Sequence, residues 1–284
     1  MKKLWFALAT ACVLCCAAIV GGGYMENQAL ELNSYTISSQ RLPTAFDGFR
    51  IAQVSDLHNT EMGANNEKLL TTLQDSHPDI IVFTGDLIDS RKTKVDVALE
   101  FAEQAMQIAP CYYVTGNHEA RVDEYTALKE GLTSLGVAVL ENARTEVELA
   151  GEKITILGVD DPSFQENYLF GDAETVMRGK LSTFTSETDS FTILLSHRPE
   201  LFDIYVEFGI DLVFSGHAHG GQFRLPLIGG AFAPNQGFFP KYDGGIFTQG
   251  NTSMIVSRGV GNSIIPFRIN NKPEVILIEL IKEV

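Results

Sequence analysis

The chain has 284 residues, of which 45% are hydrophobic and 20% charged, enough for one large core or two small ones. Its formal net charge of −15 disfavours a partner held by its phosphate backbone, so nucleic acid is not expected to bind. Of the four cysteines only Cys111 lies beyond the first 23 residues, which excludes a disulfide within the main body.

Lys2 and Lys3 open the chain, and an apolar run over residues 4–20 follows, broken only by Thr10. With Gly21, Gly22 and Gly23 the run reaches about the length of a bilayer crossing. Lysines before it, and Glu26 and Glu31 after it, place the N-terminus inside and the bulk of the chain outside the cytoplasm. Residues 1–23 therefore read as a single-span membrane anchor. The alternatives are a signal segment cleaved on export, and lipidation at Cys12, Cys15 or Cys16. Residues 24–47 read as a connector and one edge strand, with Tyr35, Thr36 and Ile37 alternating. Residues 48–284 form the main domain.

Within that domain, apolar periodicity predicts strands over 50–54, 80–83 and 112–114, interleaved with helices over 66–74, 95–108 and 125–135. This β-α-β-α-β alternation implies a parallel sheet with helical crossovers. Strands follow at 137–140, 145–149 and 154–157, close enough together for a hairpin. A partly helical stretch runs to about residue 185. Strands at 191–195 and 212–214 flank a helix over 199–208. Residues 220–245 are rich in Gly, Pro and Phe and read as a long loop, and strands at 254–256 and 275–280 close the chain. The fold class is α/β, with two packed sheets and helices outside.

Five of the six histidines fall in short cassettes. These are Asp56-Leu57-His58, Gly116-Asn117-His118-Glu119, Ser196-His197-Arg198 and Gly216-His217-Ala218-His219-Gly220. Gly85-Asp86-Leu87 adds a carboxylate. Each follows a predicted strand through one small residue: Ser55, Gly85, Gly116, Ser196 or Gly216. Small residues let backbone and ligand approach closely. Asp56 and His58 alternate about Leu57, so in an extended chain they point the same way, as do His217 and His219. Strand ends hold side chains rigidly, and five of them presenting Asp, Asn and His along one sheet edge make a metal site.

The donors are carboxylate, amide oxygen and imidazole without thiolate. That mixture suits Mn²⁺, Fe or Zn²⁺ better than Mg²⁺ or Ca²⁺. The donors are too many for one ion. Two divalent ions about 3.5–4 Å apart, bridged by a carboxylate, would use them all, polarise a phosphoryl oxygen and supply a hydroxide near neutral pH.

In order and separation these cassettes resemble those of the calcineurin-like metallophosphoesterases, over about residue 48 to the C-terminus. The resemblance implies a four-layer α/β/β/α sandwich of two mixed sheets flanked by helices. It implies that Asp56, His58 and His219 hold one metal, that Asn117, His197 and His217 hold the second, and that Asp86 bridges them, with manganese the favoured metal. It implies that His118 is not a ligand but acts on the substrate, as general acid or transition-state stabiliser. Finer details are similar to the membrane-associated bacterial phosphodiesterases of the YkuE/YaeI type. They are His217 through Gln222, the lead-in Arg41-Leu42-Pro43 to Asp47-Gly48, Ser257 through Gly261, and Pro273-Glu274-Val275. Ala218 departs from the threonine usual there, which removes a hydroxyl but no ligand. The stretch Asp89-Ser90-Arg91-Lys92 lacks the Asp-Arg-Gly of Ser/Thr protein phosphatases.

The expected function is a binuclear metal-dependent phosphoester hydrolase, a phosphodiesterase or pyrophosphatase at the membrane or cell envelope, with lipid-linked esters among the candidate substrates. The rivals are a non-catalytic binding module of the same fold, which would have lost ligands, and a nuclease, which the acidic balance opposes. Arg198 and Gln222 flank ligands and read as candidates for substrate contact, and equally as supports of the ligands or as exposed residues. Arg258 is read as a phosphate contact or as half of a core ion pair. The phenylalanines at 232, 238 and 239 read first as core cover, and otherwise as a contact for a lipid or bilayer. His77, outside every cassette, reads as a capping or solvated residue.

Overall fold

The computed structural model describes residues 5, 6, 10, 21–165, 173–184, 190–262 and 265–283. The first strands follow the sequence pattern: β1 (Glu31–Ser39), β2 (Arg50–Val54), β3 (Ile80–Thr84), β4 (Cys111–Val114) and β5 (Ala138–Val139). Between them run α1 (Glu67–Ser76), α2 (Val95–Ala105) and α3 (Tyr125–Ser134). The second half contributes β6 (Ala143–Leu149), β7 (Glu152–Gly158), β8 (Thr192–Leu195) and β9 (Leu212–Ser215), with α4 (Ala173–Ser182) and α5 (Phe202–Glu207). Four two-residue strands follow: β10 (Arg224–Leu225), β11 (Gly229–Gly230), β12 (Phe232–Ala233) and β13 (Gly237–Phe238). The chain closes with β14 (Gly245–Gln249), β15 (Thr252–Val256) and β16 (Glu274–Lys282).

Two six-stranded sheets result, ordered β1-β16-β2-β3-β4-β5 and β14-β15-β9-β8-β7-β6. Both are mixed. In the first, β2 to β5 are parallel, β16 runs antiparallel to β2, and β1 lies parallel to β16 on the edge. In the second, β7, β8, β9 and β15 are parallel, with β6 and β14 antiparallel on the two edges.

Alternation along the strands builds three apolar layers. Ile51, Ile80, Val82 and Val114 face Ile156, Ile193, Leu195 and Phe214 between the sheets. On the opposite face of the first sheet Ala52, Val54, Ile81 and Phe83 meet Leu69, Leu73, Phe101 and Leu128 of the helices. On the outer face of the second sheet Leu157, Leu194 and Val213 meet Met177, Leu181 and Phe202. Helix, sheet, sheet and helix are thus stacked as four layers, as expected.

Three details differ from the sequence reading. The strand expected at 137–140 joins the first sheet beside β4, so the hairpin is formed by β6 and β7 alone. Residues 220–245 are not one open loop but carry two small hairpins, β10–β11 and β12–β13. β14, not expected at all, supplies an edge of the second sheet. The anchor expected at 1–23 falls mostly outside the described residues, and among those described no helix is long and apolar enough to cross a membrane.

Candidate metal centre

The polar cassettes converge because the two sheets present their strand ends to one another. β2, β3 and β4 deliver Asp56 and His58, Asp86, and Asn117 and His118. β8 and β9 deliver His197, and His217 and His219. Backbone bonds stitch the connecting loops together, from Asp56 N to Gly85 O (3.0 Å), His58 N to Asp86 O (3.0 Å) and Gly261 N to Asp56 O (2.7 Å). The backbone is strained here. Asp56, His58, Asp86, His217 and His219 all take positive φ, between 46° and 67°, although none is glycine. Such conformations persist where the surroundings over-determine them, and they gather at functional sites.

The small residues have steric reasons. A Cβ on Gly116 would lie 2.2 Å from Asp86 Oδ1, and one on Gly216 would lie 2.0 Å from Ser55 Oγ and 2.4 Å from Asp56 Oδ2.

All seven expected ligands and His118 are buried in one cluster. Asp56 Oδ1 lies 3.3 Å from His219 Nε2 and 3.8 Å from His58 Nε2. Asp86 Oδ2 lies 3.2 Å from His197 Nε2, 3.6 Å from His58 Nε2 and 4.0 Å from His118 Nε2. Donor atoms fall within 4.8 Å of one another in three sets: Asp56, His58 and His219; Asp86, His197 and His217; and His58, Asp86 and His118. Proximity alone therefore does not separate His118 from the ligands. Its hydrogen bonding does more. The Ser90 amide lies 3.0 Å from His118 Nδ1 and can only donate, so the neutral ring carries its proton on Nε2.

Burial opposes charge on every group, and their neighbours decide the outcome. Burial works against the Asp86 carboxylate, yet the surrounding histidines, His197 foremost, hold it well below the usual range. Asp56 is likewise held low against its burial, chiefly by His219 and His58. Burial pushes the His219 imidazole down to about 3, and burial with the Arg198 guanidinium keeps His217 well below its usual value. His197, despite burial, is drawn up to about 10 by Asp86.

The donor set fits divalent cations. Its carboxylates are ionised, and His217 and His219 are neutral with lone pairs to give. Asn117 Oδ1 and His197 Nε2 are buried without a hydrogen-bond partner among the described residues. His197 Nδ1 lies 2.7 Å from the Thr84 carbonyl, to which it can only donate, so Nε2, charged beside Asp86, is the atom that would give up its proton to bind a cation.

Several supporting contacts are not legible in the sequence. Glu119 accepts from the amides of Gly116 (2.7 Å), Asp86 (2.9 Å) and Ile88 (3.2 Å), fixing two cassettes at once. Its carboxyl is pushed up to about 7 by burial and by Asp86. Its place next to His118 is the only hint in the sequence. Asp161, 37 residues away from Arg198, holds that guanidinium through Nε (2.5 Å) and Nη2 (2.8 Å), and Arg198 Nη1 reaches 3.2 Å from His217 Nε2. Arg198 is thus a buried prop beside a ligand. Gln222 is buried too, at a positive φ, with its carbonyl bound by Asn271, which also binds the carbonyl of His219. Arg258 forms ion pairs with Glu274 (2.7 Å) and Glu31 (3.2 Å), the core-pair alternative. His77 is exposed and caps the C-terminus of α1 at φ 46°.

Asp86, Asn117, His118, His217 and His219 face a cleft of about 210 Å³, which Arg91, Arg121 and Asn235 also line. A larger hollow of about 580 Å³ beside His77 holds no metal-binding cluster among the described residues.

Residues 49–221 match the family model of the calcineurin-like phosphoesterases. The chain belongs to that family. It is 32% identical to the metallophosphoesterase YkuE of Bacillus subtilis, over 99% of this chain and 96% of the relative. It is 27% identical to the phosphodiesterase YaeI of Escherichia coli, over 97% of this chain and 98% of the relative. A transmembrane protein with a metallophosphoesterase domain from Danio rerio is 31% identical over 84% of this chain, which spans 54% of that protein. Among solved structures, the protein TT1561 of Thermus thermophilus superposes with a TM-score of 0.50 at 16% identity, covering 75% of this chain and 90% of that one. As a calcineurin-like phosphoesterase with residue clusters able to bind metal ions, the protein is a metal-dependent phosphoester hydrolase.

Proposed function

We propose that this phosphoesterase uses two divalent cations, with manganese favoured over iron and zinc, to cleave a phosphodiester or pyrophosphate bond at a membrane or cell-envelope surface. Residues 48–284 are the catalytic domain, 24–47 the connector and edge strand, and 1–23 the anchor or signal segment. Asp56, His58 and His219 hold one cation, Asn117, His197 and His217 the other, and Asp86 lies between them. The observation that carries this reading is the central position of Asp86. One carboxylate oxygen lies within 4.0 Å of His197, His58 and His118, while the other accepts the His118 amide at 2.8 Å.

When bound, the cations supply charge to offset the phosphate and lower the pKa of a water toward neutrality. The chain does the rest. Asp56 and Asp86 stay ionised, and His217 and His219 stay neutral. Burial depresses His118 to about 4, so its ring is neutral at physiological pH. With Nδ1 engaged by Ser90, His118 presents an Nε2–H that donates to a phosphoryl or leaving oxygen as charge develops there. Among the alternatives of acid and stabiliser, this favours the stabiliser. Arg91 and Arg121 line the same cleft and suit an anionic substrate.

The test is hydrolysis of bis-p-nitrophenyl phosphate by metal-stripped protein to which Mn²⁺ is restored. Metal-dependent turnover is expected from the wild type and none from Asp86→Ala. No turnover by the wild type, or full turnover by the variant, overturns the proposal.

A further inference from the structure

Twelve large apolar side chains are exposed among the described residues, and ten of them fall in two places. Trp5, Phe6, Tyr24 and Met25 belong to the N-terminal stretch. Leu225, Leu227, Ile228, Phe232, Phe238 and Phe239 sit on the two small hairpins. Leu227 stands fully in solvent at the β10–β11 turn, and Phe238 is 78% exposed. These phenylalanines are therefore not core cover, as the sequence first suggested. Folded chains rarely leave so many large apolar side chains bare within one short stretch unless something covers them.

Two contacts say what covers them. First, the N-terminal stretch leaves the domain at the base of these hairpins. Asn27 Nδ2 donates to the Pro266 carbonyl at 2.7 Å, and a Cβ on Gly23 would lie 2.8 Å from the Arg268 carbonyl and 3.1 Å from the Phe267 ring. Phe267 packs against Phe223, ring centres 5.6 Å apart, and Phe223 leads directly into β10. Gly23 and Asn27, which follow the apolar run in sequence, thus lie beside the segment that packs on the start of β10. Second, the β12–β13 hairpin is joined to the metal centre. At its turn Pro234 and Asn235 line the cleft, and Asn235 Oδ1 lies 3.1 Å from His217 Nε2, while Phe232 and Phe238 pair edge-on at 5.4 Å. Lys241, exposed just beyond the second hairpin, adds a basic side chain that suits a headgroup layer.

We propose that the two hairpins over residues 224–239 form a bilayer-docking platform that holds the cleft against the lipid surface, so that the substrate is a phosphoester carried on a lipid head group. The substrate part rests on the phosphoesterase reading above. The docking part does not.

The test uses the full chain in phosphatidylcholine vesicles whose acyl chains are brominated. Trp5 is the only tryptophan, so Trp5→Phe leaves a silent background. On it, Leu227→Trp reports the platform, and Leu149→Trp, exposed on the far edge strand β6, reports a domain merely tethered nearby. Bromine quenching and a blue shift are expected at position 227 and not at 149. Equal quenching at the two positions overturns docking, and so does self-association that Leu227→Asp abolishes. In parallel, Leu227→Asp combined with Phe238→Asp should cleave soluble bis-p-nitrophenyl phosphate like the wild type. It should cleave vesicle-borne phosphatidyl-p-nitrophenol about tenfold or more slowly. Unchanged cleavage of the vesicle-borne ester overturns the substrate assignment. A wild type active on neither ester overturns the phosphoesterase reading, while the quenching still decides docking.

Discussion

The strand-end cluster and the hairpins at 224–239 lie side by side and invert each other's chemistry. At the strand ends, carboxylates and imidazoles are buried, their backbones strained and their neighbours fixed by Glu119, Thr84 and Asp161. On the hairpins, leucine, isoleucine and phenylalanine are exposed on two-residue strands with little packed against them. Each region is costly taken alone, since buried charge needs partners and bare apolar surface needs cover. The contrast teaches that each calls for something from outside the chain, the clusters being able to bind metal ions and the hairpins, on our proposal, meeting an apolar phase. Asn235 is where they meet.

The comparison can be sharpened from its polar side. The largest effect is expected from His118→Ala, which should lower kcat by about 10²–10⁴ and leave the bound metal unchanged by elemental analysis. Loss of metal would make His118 a ligand instead. Next is Asp161→Asn, which removes the nearer of the two carboxylates paired with the buried Arg198 guanidinium, leaving Glu200 at 3.4 Å, and should cost about 3 kcal/mol in urea unfolding. The Asp161 carboxyl, though buried, is held below its ordinary value of 3.8 by Arg198. Its contribution is therefore full above that value and is lost as pH falls below it. Wild type and variant should accordingly converge in stability in acid, and an equal gap at pH 7 and pH 2.5 would refute the pairing. Smaller is Glu119→Gln, expected to weaken metal affinity about 10–100-fold while kcat at saturating metal stays close to wild type. The smallest effect lies outside both regions. His77→Gly, at a left-handed helix cap, should raise stability by up to about 1 kcal/mol without touching activity.

Those expectations also mark what the sequence made legible. The parallel alternation and the five cassettes were readable because each is local, a run of period two or 3.6 followed by a small residue and a polar one. The eight candidate residues, from Asp56 to His219, lie together and buried in the structure. What was not readable depends on distance or exposure. The Asp161–Arg198 pair, the grip of Asn271 on the His219 loop and the bonds from Glu119 join residues that no local pattern links. The β10–β13 hairpins have two-residue strands, too short to show alternation, so Gly, Pro and Phe read as loop. The same phenylalanines read as core because apolarity records a demand for burial without saying what does the burying.

The position of β16 bears on when the active centre comes into being. This last strand lies between β1 and β2, pairing Leu32 with Val275 and Ala52 with Leu277. The sheet that carries Asp56, Asp86 and Asn117 therefore cannot close until residues 274–282 have been made. Such remote pairing slows folding, and before it forms the edges of β1 and β2 stand open to any passing strand. A chain that stops short of Glu274 would lose an interior strand rather than a tail. Metal capture by the finished cluster thus waits on a strand that lies far along the chain from the carboxylates it helps to set in place.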